Sequence, residues 1–285
     1  MKKRVVSAFL CAAMAVSLMA GCGSTNESEE TQSDASEEET GSEKDVLKIG
    51  TTATNEQVTE AIRDALEEEG YEMEIVMFQD PVQPNTALDA GEIDASFNEH
   101  EAYMQTFNDE QGYNLKFMGP IIFGPFCCYS SKYESIDDLS DGAQVTICSD
   151  ASNKDRSLKL LEDMGLIKLA ESPQYGDYYV AEDIVDNSKN IEFIEAEEPN
   201  VPTTLNDVDM IVAYNPTMYA GDYDTSGLLY TEEYTDELSS LAQGVVINGD
   251  NEDEPWVEDL MTAFTSETAR KNLEEANDGS FIIVF

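Results

Sequence analysis

The sequence predicts an α/β protein built on parallel strands, and three observations carry that expectation. Apolar, strand-like runs alternate with segments of helical period over residues 46–108, in the order strand, helix, strand, helix, strand. That order implies right-handed crossovers between parallel strands. The apolar run over 115–130 (LKFMGPIIFGPFCCYS) is broken at Gly119-Pro120 and again at Gly124-Pro125, as a strand leaving one lobe for another would be. The residues from 46 onward also suffice for one large domain or two lobes.

Residues 46–52 (VLKIGTT) read as the first strand. Asn55 caps a helix whose Val58, Ile62 and Leu66 fall four apart on one face, with Gly70 at its end. Residues 71–78 (YEMEIVMF) form the second strand, and Pro84 opens a short helix over 85–90 closed by Gly91. The strand at 93–97 then runs straight into a helix from about residue 100 to 108. This junction holds the only histidine, His100, with Tyr103 three residues on. It lies near a strand's carboxyl end, the edge at which open α/β sheets bind ligands, although a lone histidine also serves structurally.

Residues 144–148 (QVTIC) make a strand that ends in Ser149-Asp150-Ala151-Ser152-Asn153. Ser152 with Asp155 three residues on forms a capping-box pattern for the next helix. Leu158, Leu160 and Leu161 supply its apolar stripe and Gly165 stops it. Arg156 sits in the first turn, where the helix dipole disfavours a cation. Either an anion docks at that helix start, or Arg156 pairs with one of the many local acids. Strands follow at 191–195 and 209–214, joined through Pro202 and a short helix, and Asn215-Pro216 puts Asn215 at another strand end. Residues 241–248 give a late strand. Asp253-Glu254-Pro255 starts a helix with Val257, Leu260, Met261 and Phe264 inward, and a helix over 267–276 precedes the terminal FIIVF.

The N-terminus sets the expected compartment. Met1-Lys2-Lys3-Arg4 is basic, and residues 5–20 are apolar but short for a membrane span. Leu18-Met19-Ala20-Gly21-Cys22 resembles a bacterial lipoprotein box, with Met19 where Leu is usual. The expectation is a signal peptide over 1–21, lipidation of Cys22, and anchorage at the extracytoplasmic face of the cell membrane. Residues 22–45 hold many acids and no aromatic or large aliphatic side chain, the composition of a disordered acidic tether. Lys and Arg number 15 against 60 Asp and Glu, a formal net charge of −45. Nothing there neutralises phosphates, which excludes nucleic acid as a partner. Cys127, Cys128 and Cys148 show no CxxC spacing and lie in apolar runs, so they read as small hydrophobes rather than zinc ligands.

Catalytic patterns are poor. His100-Glu101-x-x-Met104 lacks the second histidine of a zinc helix, no Gly-x-Ser-x-Gly elbow is present, and no enzyme is expected. One metal pattern stands out. Asp222-x-Asp224-x-Ser226-Gly227 with Glu233 has the twelve-residue spacing of a calcium loop, a pattern that acid-rich chains also produce by chance.

Several blocks together resemble the methionine-binding lipoproteins that feed ABC importers. They are Phe78-Gln79-Asp80 with Pro84-Asn85-Thr86-Ala87-Leu88 and Gly91-Glu92-Ile93-Asp94-Ala95, then His100 with Tyr103, then Tyr129-Ser130-Ser131-Lys132 through Asp141-Gly142 with Val145. Asn153-x-x-Arg156-Ser157-Leu158 follows, leading into Gly165-Leu166-Ile167-Lys168-Leu169, and then Asp183-Ile184-Val185-x-Asn187-x-Lys189-Asn190. Their order and spacing run from about residue 47 to the C-terminus, with a lapse between Met218 and Glu237.

The resemblance implies a two-lobed, periplasmic-binding-protein-like receptor with mixed sheets flanked by helices and a ligand cleft at the hinge. It places residues 46–125 and 227–285 in one lobe and 126–226 in the other. It implies an arginine at Arg156 on the ligand's carboxylate, with Ser152 and Asn153 beside it, and His100 and Tyr103 lining the far wall. Asn98 stands where the family usually has an aromatic residue, which makes the side-chain pocket more polar. Asn215 falls where the family's ammonium-binding asparagine lies, in a run altered by Pro216. The implied partners are an amino acid, most simply methionine, and a membrane permease with its ATPase, with no cofactor unless calcium occupies the loop above. Another amino acid, a short methionine-containing peptide, or a non-transport surface or sensor lipoprotein are the alternatives.

Overall fold

Strand β1 (Val46–Thr52) buries Leu47, Ile49, Gly50 and Thr51, the pattern of a strand covered on both faces. The structure is a computed structural model and describes residues 45–174 and 176–285. The expected signal peptide and Cys22 lie outside those residues, as does the tether except Asp45. Among the described residues no helix is long and apolar enough to cross a membrane.

Helices α1 (Glu56–Ala61) and α2 (Arg63–Glu68) take the place of the single helix expected there, with the interruption at Ile62. Val58, Ile62 and Leu66 are all buried, so the four-residue spacing survives the break. Next come β2 (Glu72–Phe78), α3 (Gln83–Asp89), β3 (Ala95–His100) and α4 (Glu101–Gln111). β4 (Leu115–Phe123) and β5 (Phe126–Tyr129) flank Gly124-Pro125, where the run at 115–130 was expected to change lobe. β6 (Gln144–Cys148), α5 (Ala151–Asp163), the short β7 (Lys168–Leu169) and β8 (Ile184–Asp186), and β9 (Glu192–Ala196) follow. A 3-10 segment, Glu198–Thr204, leads to β10 (Met210–Tyr214) and α6 (Asn215–Ala220). β11 (Leu228–Thr231), β12 (Gln243–Asn248), α7 (Pro255–Phe264), α8 (Glu267–Ala276) and β13 (Ile282–Ile283) complete the chain.

These strands form two larger sheets. The first has the order β13-β4-β12-β3-β1-β2 and the second β11-β5-β10-β6-β9. In the first, β1 pairs in parallel with both β2 and β3, as the alternation of strand and helix required. β12 then pairs antiparallel with β3 and β4, which makes the sheet mixed. In the second, β6 is parallel to β9 and β10, while β5 runs antiparallel to β10 and β11. Each sheet has its own core. Leu47, Ile49, Ile62, Phe97, Leu260 and Phe264 close the first, and Val145, Leu158, Leu161, Ile211 and Val212 the second. Each such side chain contributes about 1.5–3 kcal/mol by leaving water. The three cysteines lie in the second core, buried and free.

The lobe boundary differs from the expected one. β11 belongs to the second sheet, because Leu228, Tyr230 and Thr231 pair with Tyr129, Cys128 and Cys127. The chain therefore recrosses after Thr231 rather than at 227. Gly227 permits this pairing, since a Cβ there would overlap the Ser130 carbonyl.

The calcium pattern meets the same strand. β11 lies inside the twelve-residue pattern, and a 3-10 segment, Asp236–Leu241, follows it where a calcium-loop motif has an α-helix. Asp224 accepts from the Ser226 amide at 2.9 Å, and the described residues contain no group of three or more His, Cys, Asp or Glu placed to hold a metal.

Candidate functional site

The two lobes meet where the carboxyl ends of β3, β6 and β10 face one another. His100 ends β3 and caps α4, its Nδ1 accepting from the Tyr103 amide at 3.1 Å. A ring with Nδ1 as acceptor carries its proton on Nε2. That Nε2–H donates to Asn153 Oδ1 of the second lobe, 3.1 Å away. Burial pushes the imidazole pKa down to about 4, the Arg156 charge adding to the shift, so the ring is neutral at physiological pH. Tyr103 stands edge-on to it with centroids 6.2 Å apart.

Helix α5 begins differently from its expected capping box. Asp150 is the cap, accepting from the Asn153 amide at 3.0 Å and from Asn153 Nδ2 at 3.2 Å. Ser152 lies inside the first turn and donates its hydroxyl to Asp150 at 3.1 Å. One of the orphan amides of the helix start, that of Asn153, is thus met by a carboxylate of the chain itself. Asp150 outcompetes Ser152 because it adds charge complementarity with the dipole to the same short reach.

One turn on, Arg156 is 2% exposed. Its Nε donates to Glu232 at 3.0 and 3.1 Å, and its Nη2 to Glu232 and to the Gly124 carbonyl, the latter at 2.9 Å. Its Cζ lies 4.2 Å from the Phe126 ring centroid and 5.0 Å from that of Phe123. Arg156 thus pairs with an acid, but not with a local one as expected: its partner lies 76 residues away, where no local pattern reveals it. Its Nη1 makes no hydrogen bond to any described residue. The clamp fixes the guanidinium through Nε and Nη2 and leaves Nη1 unbonded to the described residues. Gly124 is part of that clamp, because a Cβ there would overlap the Tyr214 ring. The buried Tyr214 hydroxyl beside it has no partner.

The other expected residues divide. Asn215 is buried at the start of α6 and joins the lobes, accepting from the Tyr129 hydroxyl and donating Nδ2 to the Ser280 carbonyl at 3.2 Å. Asn98 is buried but uses both ends of its amide inside the first lobe, with Thr52 Oγ1 at 3.0 Å and the Pro81 carbonyl at 3.1 Å. Three carboxylates at the seam, Asp150, Glu198 and Glu232, escaped the reading of residue patterns. An acid directly before a helix was a usable signal for Asp150. Glu198 and Glu232 stand among too many other acids to be singled out.

Residues 47–285 match the family model described as NlpA lipoprotein. The chain belongs to the NlpA lipoprotein family. Its relatives in that family include the D-methionine-binding lipoprotein MetQ of Salmonella typhimurium, 33% identical over 238 residues that cover 83% of this chain and 87% of the relative. A nutrient binding protein from Burkholderia cenocepacia bound to methionine superposes with a TM-score of 0.78 at 30% identity, covering 84% of this chain and 100% of the other. The substrate binding protein of a methionine transporter from Streptococcus pneumoniae does so with a TM-score of 0.76 at 26% identity, covering 84% and 96%. The family's two-lobed fold thus extends over the described chain.

Proposed function

We propose that this lipoprotein is the extracytoplasmic receptor of an ABC importer and captures methionine between its lobes. The observation that carries the reading is the guanidinium of Arg156, clamped by Glu232, the Gly124 carbonyl and two rings, with Nη1 left over. Such an edge, held in a buried seam, fits a carboxylate at little cost in ordering. Asn153 and neutral His100 border it, and Tyr103 lines the first-lobe wall. Asn215 ties the second lobe to the first. In this reading Asn98 and Ser152 support the site from behind. Methionine is the ligand of the relatives described above. Capture is noncovalent and needs no cofactor, and lipidated Cys22 holds the receptor beside its permease and ATPase.

Calorimetric titration of the full chain with L- and D-methionine tests this. Arg156→Ala should weaken binding by at least the ~1.5–3 kcal/mol of a charged hydrogen bond. That variant also strands buried Glu232, so the paired change Arg156→Met with Glu232→Gln serves as control. It should recover stability without recovering affinity. Unaltered affinity in both variants would remove Arg156 from the site.

A further inference from the structure

Hydrogen bonding at the seam leaves one carboxylate nearly unclaimed. Asp150 is committed to the α5 cap by the Asn153 amide, Asn153 Nδ2 and the Ser152 hydroxyl. Glu232 is committed to Arg156 and to the Phe126 amide at 2.9 Å. Both nitrogens of His100 and both ends of the Asn215 amide have partners. Glu198 differs. Its Oε1 accepts a single bond, from Thr217 Oγ1 at 2.6 Å, and its Oε2 bonds to no described residue. Thr217 in turn lies 3.4 Å from Thr54 Oγ1 of the first lobe, which puts Glu198 at the seam itself.

Arg156 is paired with Glu232 through Nε and Nη2, keeping only Nη1 free, and His100 is uncharged, so among the described residues no cation pairs with Glu198. The Tyr214 hydroxyl, on a side chain 6% exposed and with no partner among the described residues, lies against Gly124, whose carbonyl accepts from Arg156. We propose that Glu198 receives the ammonium group of the bound amino acid, opposite the carboxylate held by Arg156. This rests on the receptor reading above and adds a residue to it. A ligand with a carboxylate alone would leave Glu198 unanswered, whereas a zwitterion satisfies both ends.

The assignment implies a pH dependence. Desolvation of the half-buried Glu198 carboxylate at the seam, helped by the Asp150 charge, pushes it up to about 7. The other groups facing it are Tyr103 of the first lobe, Cys148 on β6 and Tyr214 on β10, all raised and uncharged at neutral pH. Helix α6 brings Thr217 and the half-exposed Tyr219 but no charge. An ammonium ligand binds the ionised carboxylate, so affinity should rise as pH passes upward through about 7.

The test titrates the full chain and Glu198→Gln, at pH 6 and pH 8, with methionine and with its des-amino analogue 4-(methylthio)butanoate. Glu198→Gln should weaken methionine about tenfold or more at pH 8 and leave the analogue within about twofold. The wild type should bind methionine more tightly at pH 8 than at pH 6, and the variant should not. Equal weakening of both ligands, or of neither, overturns the assignment while leaving the receptor intact. Should the variant fail to fold, the wild type decides alone: a pH-dependent gain for methionine only supports Glu198, and the same gain for both ligands refutes it. A wild-type chain that binds no amino acid refutes the receptor reading itself.

Discussion

Buried acids give this molecule an unusual response to pH, residue by residue. Glu99 is buried beside His100 and takes one bond, from Asn85 Nδ2 at 2.9 Å, while its Oε1 and Asn85 Oδ1 both lack partners. Burial raises its pKa from 4.5 to about 8. A carboxyl raised in the fold contributes stability below its ordinary pKa, and that contribution drains away as pH rises from about 4.5 through about 8. His100, depressed from 6.5 to about 4, behaves oppositely and loses its contribution as pH falls across that interval. The two trends oppose each other in weak acid, and the Glu99 trend acts without opposition above it. Glu99→Gln replaces the protonated acid by an amide that can pair with Asn85 in both directions. It should flatten the alkaline limb, where the wild-type slope approaches 1.4 kcal/mol per pH unit. Thermal melts between pH 5 and 8.5 would decide it, since parallel curves for wild type and variant would mean that Glu99 is already ionised.

At the scale of elements, helix α5 couples packing to function most directly. Leu158, Leu160 and Leu161 anchor it in the second core, while its first turn presents Asn153 and Arg156 to the seam. Asp150→Ala should cost about 1 kcal/mol of stability through the lost cap. It should also lower ligand affinity by freeing the Asn153 side chain, whose Nδ2 donates to Asp150 and whose Oδ1 accepts from His100. A melting temperature that falls while affinity stays constant would confine Asp150 to a structural role. This helix also marks how far residue patterns reach. Its apolar stripe and its glycine stop were legible, and so was strand β6, residue for residue. The cap was displaced by two positions because Asp150 and Ser152 both satisfy the same local rule. β11 was missed for another reason. Leu228–Thr231 is a short edge strand whose place depends on contact with β5, a hundred residues earlier, and on the space left by Gly227. The Arg156–Glu232 clamp is hidden by the same separation.

At the largest scale, the described residues form two larger sheets joined by two crossings, at Gly124-Pro125 and after Thr231. Among the described residues, side-chain hydrogen bonds fasten one lobe to the other from His100 to Asn153, Thr54 to Thr217, Asn215 to Ser280 and Tyr178 to the Ala102 carbonyl at 3.1 Å. Periodicity made the lobes readable from local runs, whereas the seam is made of single polar contacts with no period. The position of β12 has a temporal consequence. It lies between β4 and β3 in the middle of the first sheet, yet the whole second lobe precedes it in the chain. During export from the N-terminus, the first lobe waits with its sheet open, exposing β-edges that invite misassociation. The second lobe, contiguous from β5 to β11, can close meanwhile. Pulsed hydrogen exchange during refolding should therefore protect β6 and β10 before β3 and β12, and the reverse order would contradict this. The strand that completes the molecule is thus among the last to be made, and a chain cut short before it leaves half a receptor already shaped and the other half unable to begin.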